Sequence, residues 1–306
     1  MSFTSRRNQS VALILLTSAV QFLPAAVQSG PPVEAIAPTS SVRITVNPRE
    51  IVRRSVEADQ RNTKLAKNYT YQERVVEKRI DKDGRPKKQE INTYDISILY
   101  SEPYRRLLQR DDHPLRDDEE KKEVEKLNRF IAKYKNESPK DREKRLAEAD
   151  KRREDQRAFA REIVDAYNFR LLGEEQVDGR SVYVIEATPR PDFHAKQPHA
   201  DLLSKFRGKI WIDKNEYQWV KMQAETIDTV SFGLFLFRLH KGSTVAFEQT
   251  RVNEEIWLPR HISVAASARL ALMMNAQFEQ ETTFSNYRKF VTDSRILPGV
   301  EEAQPR

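Results

Sequence analysis

The spacing of apolar residues divides the chain into an N-terminal helix, two runs of strands and a charged helical segment between them. Asn47 is a good helix cap, and Pro48 suits the first helical position that follows it. After Asn68 the apolar period becomes two, which is typical of half-buried strands, and residues 69–100 predict a hairpin. The same period returns after Asn168. The chain therefore alternates between sheet and helix in separate blocks, which favours an α+β fold.

We predict a large curved antiparallel sheet of about ten strands, an incomplete β-barrel with an N-terminal helix and an inserted pair of helices at residues 116–167. Residues 230–239 are predicted to form one strand. All even positions from Ile262 to Phe278 are apolar, a longer alternation than a strand of about five or six residues needs. This stretch is either one long curved strand or a hairpin.

The helical insertion is much more densely charged than the chain as a whole. Between residues 116 and 163, 16 residues are basic and 14 acidic, and the two signs are interleaved. A surface that follows nucleic-acid phosphates needs segregated positive charge, so the pattern predicts no nucleic-acid partner. A solvated two-helix excursion is the favoured interpretation. The alternative is an arm that binds another envelope protein or touches anionic lipid headgroups transiently at a membrane surface.

Composition sharpens the picture in two ways. The chain has no cysteine, which excludes disulfides, thiolate metal sites and cysteine nucleophiles. Its 53 basic and 46 acidic residues give a formal net charge of +7, which is a weak excess for a chain this highly charged.

The N-terminal residues resemble an export signal. Arg6 and Arg7 precede a short apolar run, and small residues follow that run. We predict a cleaved signal peptide at residues 1–29 and a periplasmic location, with a retained N-terminal anchor as the alternative. Pro- and Ser-rich residues 30–46 then form a flexible arm. Residues 47–292 form a single domain and residues 293–306 a tail.

The sequence offers little support for catalysis. His194 and His199 share a loop with Asp192 and Asp201, but their spacing fits neither a helix face nor a strand, so polar loop residues are the better interpretation. Motifs for hydrolases, zinc proteases, phosphate loops and dinucleotide binding are missing from the sequence. We predict that the protein is not an enzyme and uses no metal or cofactor.

The C-terminal strands have more apolar side chains than one buried face requires. An antiparallel sheet usually buries one face and exposes the other, whereas residues 230–239 are apolar on both. A curved sheet of this kind can enclose an apolar cavity. The alternative is an ordinary filled core. The predicted hydrophobic ligand-binding residues are Ile210, Ile212, Val220, Met222, Phe232, Leu234, Leu236, Leu270, Leu272 and Met274.

Four segments carry a resemblance to a known family. They are the strand YTYQERV after the Asn-Pro helix start, the hairpin GKIWIDKNEYQWVKMQAE, the segment GSTVAFEQTRVNEEIWLPRHI and the terminal FSNYRKF. The stretch from Trp211 to Glu225 and the Trp257–Pro259 motif are the most characteristic. Across residues 45–291 the chain resembles the LolA-like superfamily, which comprises outer-membrane lipoprotein-sorting proteins and related periplasmic lipid carriers.

The resemblance implies an incomplete antiparallel barrel whose concave apolar face, covered by helices, holds acyl chains of a lipid or lipoprotein. It therefore implies a non-catalytic carrier or binding protein of the cell envelope. The superfamily also includes stress-sensing regulators, so an envelope structural or signalling module is the alternative. The large charged insertion at residues 116–163 departs from the lipoprotein chaperone, and the lack of cysteine departs from its lipid-anchored receptor.

Overall fold

The computed structural model describes residues 46–81, 83–232, 237–270 and 274–290. The predicted signal peptide and C-terminal tail lie outside these residues, as does all but the last residue of the predicted arm.

In the described residues, three α-helices and a short 3₁₀ helix accompany the sheet. Helix α1 runs from Pro48 to Ala66, α2 from Asp117 to Lys135 and α3 from Pro139 to Ala166; the 3₁₀ helix spans Ala200–Lys205. The predicted start of α1 is confirmed. The side chain of Asn47 accepts from the backbone N–H of Arg49, and Ser138 caps α3 in the same way, each with proline at the first helical position.

Within the part of the chain that the structure describes, thirteen strands of different lengths form one antiparallel sheet. Their bounds are β1 Tyr69–Ile80, β2 Pro86–Leu99, β3 Glu102–Arg110, β4 His113–Pro114, β5 Tyr167–Val177, β6 Arg180–Pro189, β7 Phe206–Asp213, β8 Trp219–Thr226, β9 Val230–Phe232, β10 Phe237–Leu239, β11 Thr244–Val252, β12 Ile256–Leu270 and β13 Met274–Lys289.

The strand order gives an open sheet. The main path is β4-β3-β2-β1-β13-β12-β11-β8-β7-β6-β5, and among the described strands its two ends, β4 and β5, are not paired with each other. Strand β13 lies between β1 and β12, with Tyr69 opposite Lys289 and His261 opposite Thr283. It thus joins the β1–β4 meander to the rest of the sheet. The predicted α+β class with an open antiparallel sheet is confirmed.

Two stretches for which the sequence predicted or allowed a single strand are each a pair of antiparallel strands in the structure. The long alternation is a hairpin, because β12 and β13 pair from His261–Thr283 to Leu270–Met274, with residues 271–273 outside the described residues. The single strand predicted at residues 230–239 is wrong. Strands β9 and β10 pair with each other there, so the chain reverses direction, and residues 233–236 between them lie outside the described part.

The charged insertion packs on the sheet near its β3 end. The ring of Phe130 in α2 lies 4.9 Å from that of Tyr104 in β3 and 4.7 Å from that of Tyr134. From α3, Arg145 pairs with Glu102 at 3.0 Å and Glu137 at 2.7 Å. These contacts surround the turn between α2 and α3, so the tip of the predicted excursion is docked on the sheet. The middle of α3, at residues 146–156, is mostly exposed, and the buried residues of this helix begin only at Ala160.

Within the described residues, no helix combines the length and the apolar character that crossing a membrane requires.

Candidate functional site

The largest apolar cluster lies between the sheet and helices α1 and α3. Alternate residues of a strand point to opposite faces of a sheet, and one set from β5–β8 and β11 points toward the helices. Side chains from α1, α3 and the 3₁₀ helix cover this set. We call these residues the covered face: Ile51, Val52, Val56, Ala160, Ile163, Ala166, Tyr167, Tyr183, Ile185, Ala187, Ala200, Leu203, Ile210, Ile212, Trp219, Met222 and Phe247.

The structure brings three of the predicted ligand-binding residues together on the covered face. Ile210, Ile212 and Met222 are at most 2% exposed and contact the same cluster. Val220 is also buried but belongs to a different cluster, on the opposite face. The remaining members are Phe232 in β9, Leu270 in β12 and Met274 in β13, together with Leu234, Leu236 and Leu272, which lie outside the described residues.

A β-bulge explains the position of Val220. Trp211 of β7 pairs with Lys221, but the next residue, Ile212, pairs with Trp219, so Val220 is skipped in the ladder. A bulge shifts the alternation of one strand by one residue. Val220 therefore joins Trp211 on the face opposite the covered face, which we call the open face, although it lies only two residues from Met222.

Side chains fill the interior of the covered face almost completely. A residual void of about 10 Å³ lies among Ile163, Tyr167, Leu203, Met222 and their neighbours. A void of this size holds at most about one water molecule. Of the two interpretations that the sequence left open, the described interior therefore matches the filled core, and an acyl chain would enter only if a covering helix moved.

Helix α1 is a cover held by a small set of contacts. Its apolar residues Ile51, Val52 and Val56 enter the cluster, and the indole N–H of Trp219 donates to the Ser55 hydroxyl at 2.6 Å. Near its C-terminal end, the Asn62 amide exchanges two hydrogen bonds with the backbone of Trp257, at 2.6 and 2.9 Å.

Two exposed contacts fix the edge of the same helix. The Arg54 guanidinium donates to the Tyr217 hydroxyl at 3.2 Å and lies 5.2 Å from the centre of that ring. Arg49 pairs with Asp165 of α3 at 2.5 Å. Exposed ion pairs contribute little to stability, so apolar burial and the Ser55 and Asn62 bonds provide most of the hold on α1.

One carboxyl group lies on the covered side of α1. Asp59 follows Val52 by seven residues, so it shares the helical face of Val52, Ser55 and Val56. Burial raises the pKa of Asp59 to about 6, and among the described residues its carboxylate has no ion-pair partner. Packing of α1 against the sheet is therefore less favourable when Asp59 is charged than when it is protonated.

Sequence reasoning missed these polar contacts of the cover. Ser55 and Asn62 are polar residues on the inward stripe of an otherwise amphipathic helix, and that signal is available in the sequence. Their partners are not predictable, because Trp219 and Trp257 lie far along the chain and reach α1 only through the strand order.

The open face of the sheet carries a smaller apolar cluster under a charged layer. Val182, Val184, Trp211, Val220 and Trp257 are buried together there. Charged side chains lie over both indoles. Arg180 lies 5.1 Å from the ring centre of Trp257, and Lys221 lies 5.6 Å from that of Trp211.

The Trp-Ile-Asp-Lys motif that supports the family resemblance has a structural role here. The fully buried Asp213 carboxylate accepts from the backbone N–H groups of Asn215 and Glu216 at 2.9 and 2.7 Å, which pins the turn between β7 and β8. Glu216 in turn accepts from the indole N–H of Trp257 at 3.0 Å and pairs with Arg180 and Arg251.

The histidine loop shows no arrangement for a metal. Asp192 pairs with Arg190 at 2.6 Å, and the hydrogen bond from Arg190 lowers the pKa of that carboxyl. In the part of the chain that the structure describes, no three His, Asp or Glu side chains are grouped so that they could hold a metal ion.

Neither protein-family models nor curated proteins match the chain. Among solved structures, it is similar to a DUF1329 family protein from Desulfovibrio piger ATCC 29098, with 16% identity, coverage of 81% of this chain and 96% of that chain, and a TM-score of 0.30. The chain is also similar to a putative outer membrane lipoprotein-sorting protein domain from Vibrio parahaemolyticus, with 11% identity, coverage of 80% of this chain and 95% of that chain, and a TM-score of 0.27. A LolA superfamily protein from Nitrosomonas europaea is 15% identical, with coverage of 81% of this chain and 95% of that chain, and a TM-score of 0.26. The solved structures to which the chain is similar thus include the LolA superfamily, the family that its sequence motifs resemble.

Proposed function

We propose that the protein is an exported, non-catalytic binding or carrier protein for a lipid or lipidated ligand of the cell envelope. An acyl chain would bind the covered face when α1 moves away. The observation that carries the proposal is the covered face itself, a continuous apolar surface under α1, α3 and the 3₁₀ helix, of which α1 is held by few polar contacts.

The free energies gained by burying the α1 side chains and by burying an acyl chain support an exchange of the helix for the ligand on the covered face. Burial of Ile51, Val52 and Val56 contributes on the order of 1.5–3 kcal/mol per side chain. An acyl chain with about 14 methylenes gains on the order of 11 kcal/mol before association costs, at about 0.8 kcal/mol per methylene. The ligand can therefore replace the apolar contacts of α1 without specific polar contacts of its own.

A reversible cross-link between α1 and the sheet tests this exchange. The chain has no cysteine, so an Arg54→Cys/Tyr217→Cys variant can be joined specifically by a short, reducible thiol cross-linker. We expect uptake of a fluorescent fatty acid to fall at least tenfold on cross-linking and to recover on reduction.

The matched control is an Arg170→Cys/Glu186→Cys variant, which joins β5 to β6 at an exposed pair 2.7 Å apart and leaves α1 free. Its cross-linking should not change uptake. Equal uptake by the open and cross-linked α1 variants would contradict the proposed role of the helix. The lipid-binding proposal itself fails if the uncross-linked protein takes up no fatty acid and native mass spectrometry finds it lipid-free.

A second candidate function is protein binding through the insertion, as an envelope structural or signalling module. Two large apolar residues of the insertion are exposed, Val124 at 44% and Leu146 at 36%. A Val124→Glu/Leu146→Glu variant should then keep fatty-acid uptake but lose in-cell cross-linking to its envelope partner. Unchanged cross-linking in this variant would exclude these residues as the contact.

A further inference from the structure

A cleft of about 180 Å³ opens on the face of the sheet opposite the covered face. Its apolar part is formed by Trp211 and Val220 of the small open-face cluster. The volume is well above the roughly 10–15 Å³ that one enclosed water needs and below the roughly 300–1,000 Å³ of pockets for larger ligands, so it suits a small headgroup rather than a chain. The site is therefore separate from the acyl-chain site proposed above.

Four of the charged side chains in this cleft balance one another, and a fifth is left over. Arg260 pairs with Asp178 at 2.8 Å and with Glu248 at 3.0 Å, and Lys221 pairs with Glu248 at 3.2 Å. Burial of Glu248 raises its pKa, but the hydrogen bonds from Arg260 and Lys221 outweigh burial, so its pKa is lowered and the group stays charged. These two bases and two acids neutralise one another.

Glu175 carries the surplus negative charge. Its exposed carboxylate accepts from the neutral indole N–H of Trp211 at 2.8 Å, and no ion pair with it is found among the described residues. Because the Lys221 and Arg260 cations are committed to other carboxylates, a cation from outside is the group that would complete this end of the cleft.

Gln249 supplies an independent signal for a ligand. The residue lines the same cleft and is only 7% exposed, and its enclosed Oε1 atom has no hydrogen-bond partner among the described residues. An unpaired buried acceptor costs on the order of 1–3 kcal/mol, so such an atom calls for a donor. The terminal amide can turn about its broad two-fold torsion to present the oxygen to a donor in the cleft.

From these features we infer that the cleft binds a primary ammonium group, with Glu175 as the charge partner, Gln249 as a second acceptor and Trp211 as the apolar wall. A primary ammonium combines a compact positive charge with three N–H donors, which matches a carboxylate plus an unpaired amide oxygen. A quaternary ammonium has the charge without the donors, and a neutral alcohol has a donor without the charge. Its source is either a free amine or the headgroup of an aminated lipid.

The indole signals of the three tryptophans provide a direct test. Ethanolamine is titrated into the full chain at low salt, and ¹H–¹⁵N spectra are recorded. We expect the Trp211 indole resonance to shift, because its N–H donates to Glu175, while that of Trp219 on the covered face stays in place. Ethylene glycol should produce no shift, and choline should bind at least tenfold more weakly than ethanolamine.

Variants identify the two acceptors. Glu175→Gln should weaken ethanolamine binding at least tenfold and Gln249→Leu about fivefold. Glu174→Gln is the matched control, because the neighbouring Glu174 pairs with Lys214 at 2.6 Å outside the cleft, and it should leave binding unchanged. An unmoved Trp211 signal, or equal binding of ethanolamine and ethylene glycol, would overturn the inference.

Short-chain phosphatidylethanolamine distinguishes the sources. Binding at least tenfold tighter than that of ethanolamine assigns a lipid headgroup, and equal or weaker binding assigns a free amine. The outcome is separable from the proposed acyl-chain function. Glu175→Gln should leave fatty-acid uptake unchanged, and the cross-linked α1 variant should keep its response to ethanolamine.

Discussion

At the scale of single residues, the buried bond between Ser55 and Trp219 is the sharpest constraint on α1. Ser55→Ala removes the acceptor of a buried indole N–H, so the free energy of unfolding in urea should fall by about 1–3 kcal/mol. Thr63→Ala on the exposed side of the same helix should change it by less than about 0.5 kcal/mol. Equal effects of the two substitutions would show that helix propensity, rather than the bond, is responsible.

Asp59 gives α1 a pH dependence. Its pKa is about 6 in the folded chain against the ordinary value of 3.8, so folding favours the protonated form. The contribution of this group to stability is therefore present below pH 3.8, is lost as the pH rises through 6, and stays lost above that.

Asp59→Asn should remove this loss. The free energy of unfolding of the variant relative to the native chain should rise between about pH 4 and pH 6.5 and reach on the order of 1–3 kcal/mol at neutral pH. Denaturation at several pH values measures the difference. A difference that does not change with pH would contradict a partly buried, unpaired carboxyl group at Asp59.

Residue-scale predictability is limited by bulges and by partners that are distant in sequence. The alternation of apolar residues places Ile210, Ile212 and Met222 together, because their strands keep a regular period through those positions. It fails for Val220, because nothing in the composition of β8 reveals where the bulge lies. The Glu175–Trp211 contact is equally hidden, since it joins strands that are not neighbours in the sheet.

At the scale of elements, the docking of α2 on β3 depends on one aromatic cluster. Phe130→Ala removes the ring that contacts both Tyr104 and Tyr134. Hydrogen exchange across residues 117–135 should accelerate at least tenfold, whereas α1 should keep its protection. Val124→Ala, on the same helix at a 44% exposed position, is the control and should leave exchange near that of the native chain.

Elements whose limits depend on adjacent residues were predicted well from the sequence, whereas those that depend on tertiary pairing were not. Asn47-Pro48 and Ser138-Pro139 define helix starts because capping is a property of adjacent residues. The tight turn after β1 is similarly local, since Gly84 adopts a φ of +78° that favours glycine. The reversal between β9 and β10 was missed, because a run that is apolar at every position has no period from which a turn can be read.

At the scale of the whole molecule, the proposed export signal makes a prediction about the mature chain. When the full sequence is produced in a bacterium with an outer membrane, we expect the periplasmic fraction to contain a protein that begins at Gly30, or at Val27 if cleavage follows Ala26. N-terminal sequencing distinguishes these from a full-length, membrane-retained form. Recovery of uncleaved protein in the membrane fraction would support the anchor instead.

The position of β13 has a consequence for the timing of folding. The strand pairs with both β1 and β12, so the β1–β4 meander connects to the remaining sheet through a segment that ends at Lys289. Ribosomes deliver residues in order, at about 5–20 per second, and such long-range pairing forms slowly. The complete sheet therefore cannot assemble until nearly all of the chain has been synthesised. For the export proposed above, this late completion of the sheet would leave the chain without its full set of strand pairs while it passes a secretion channel.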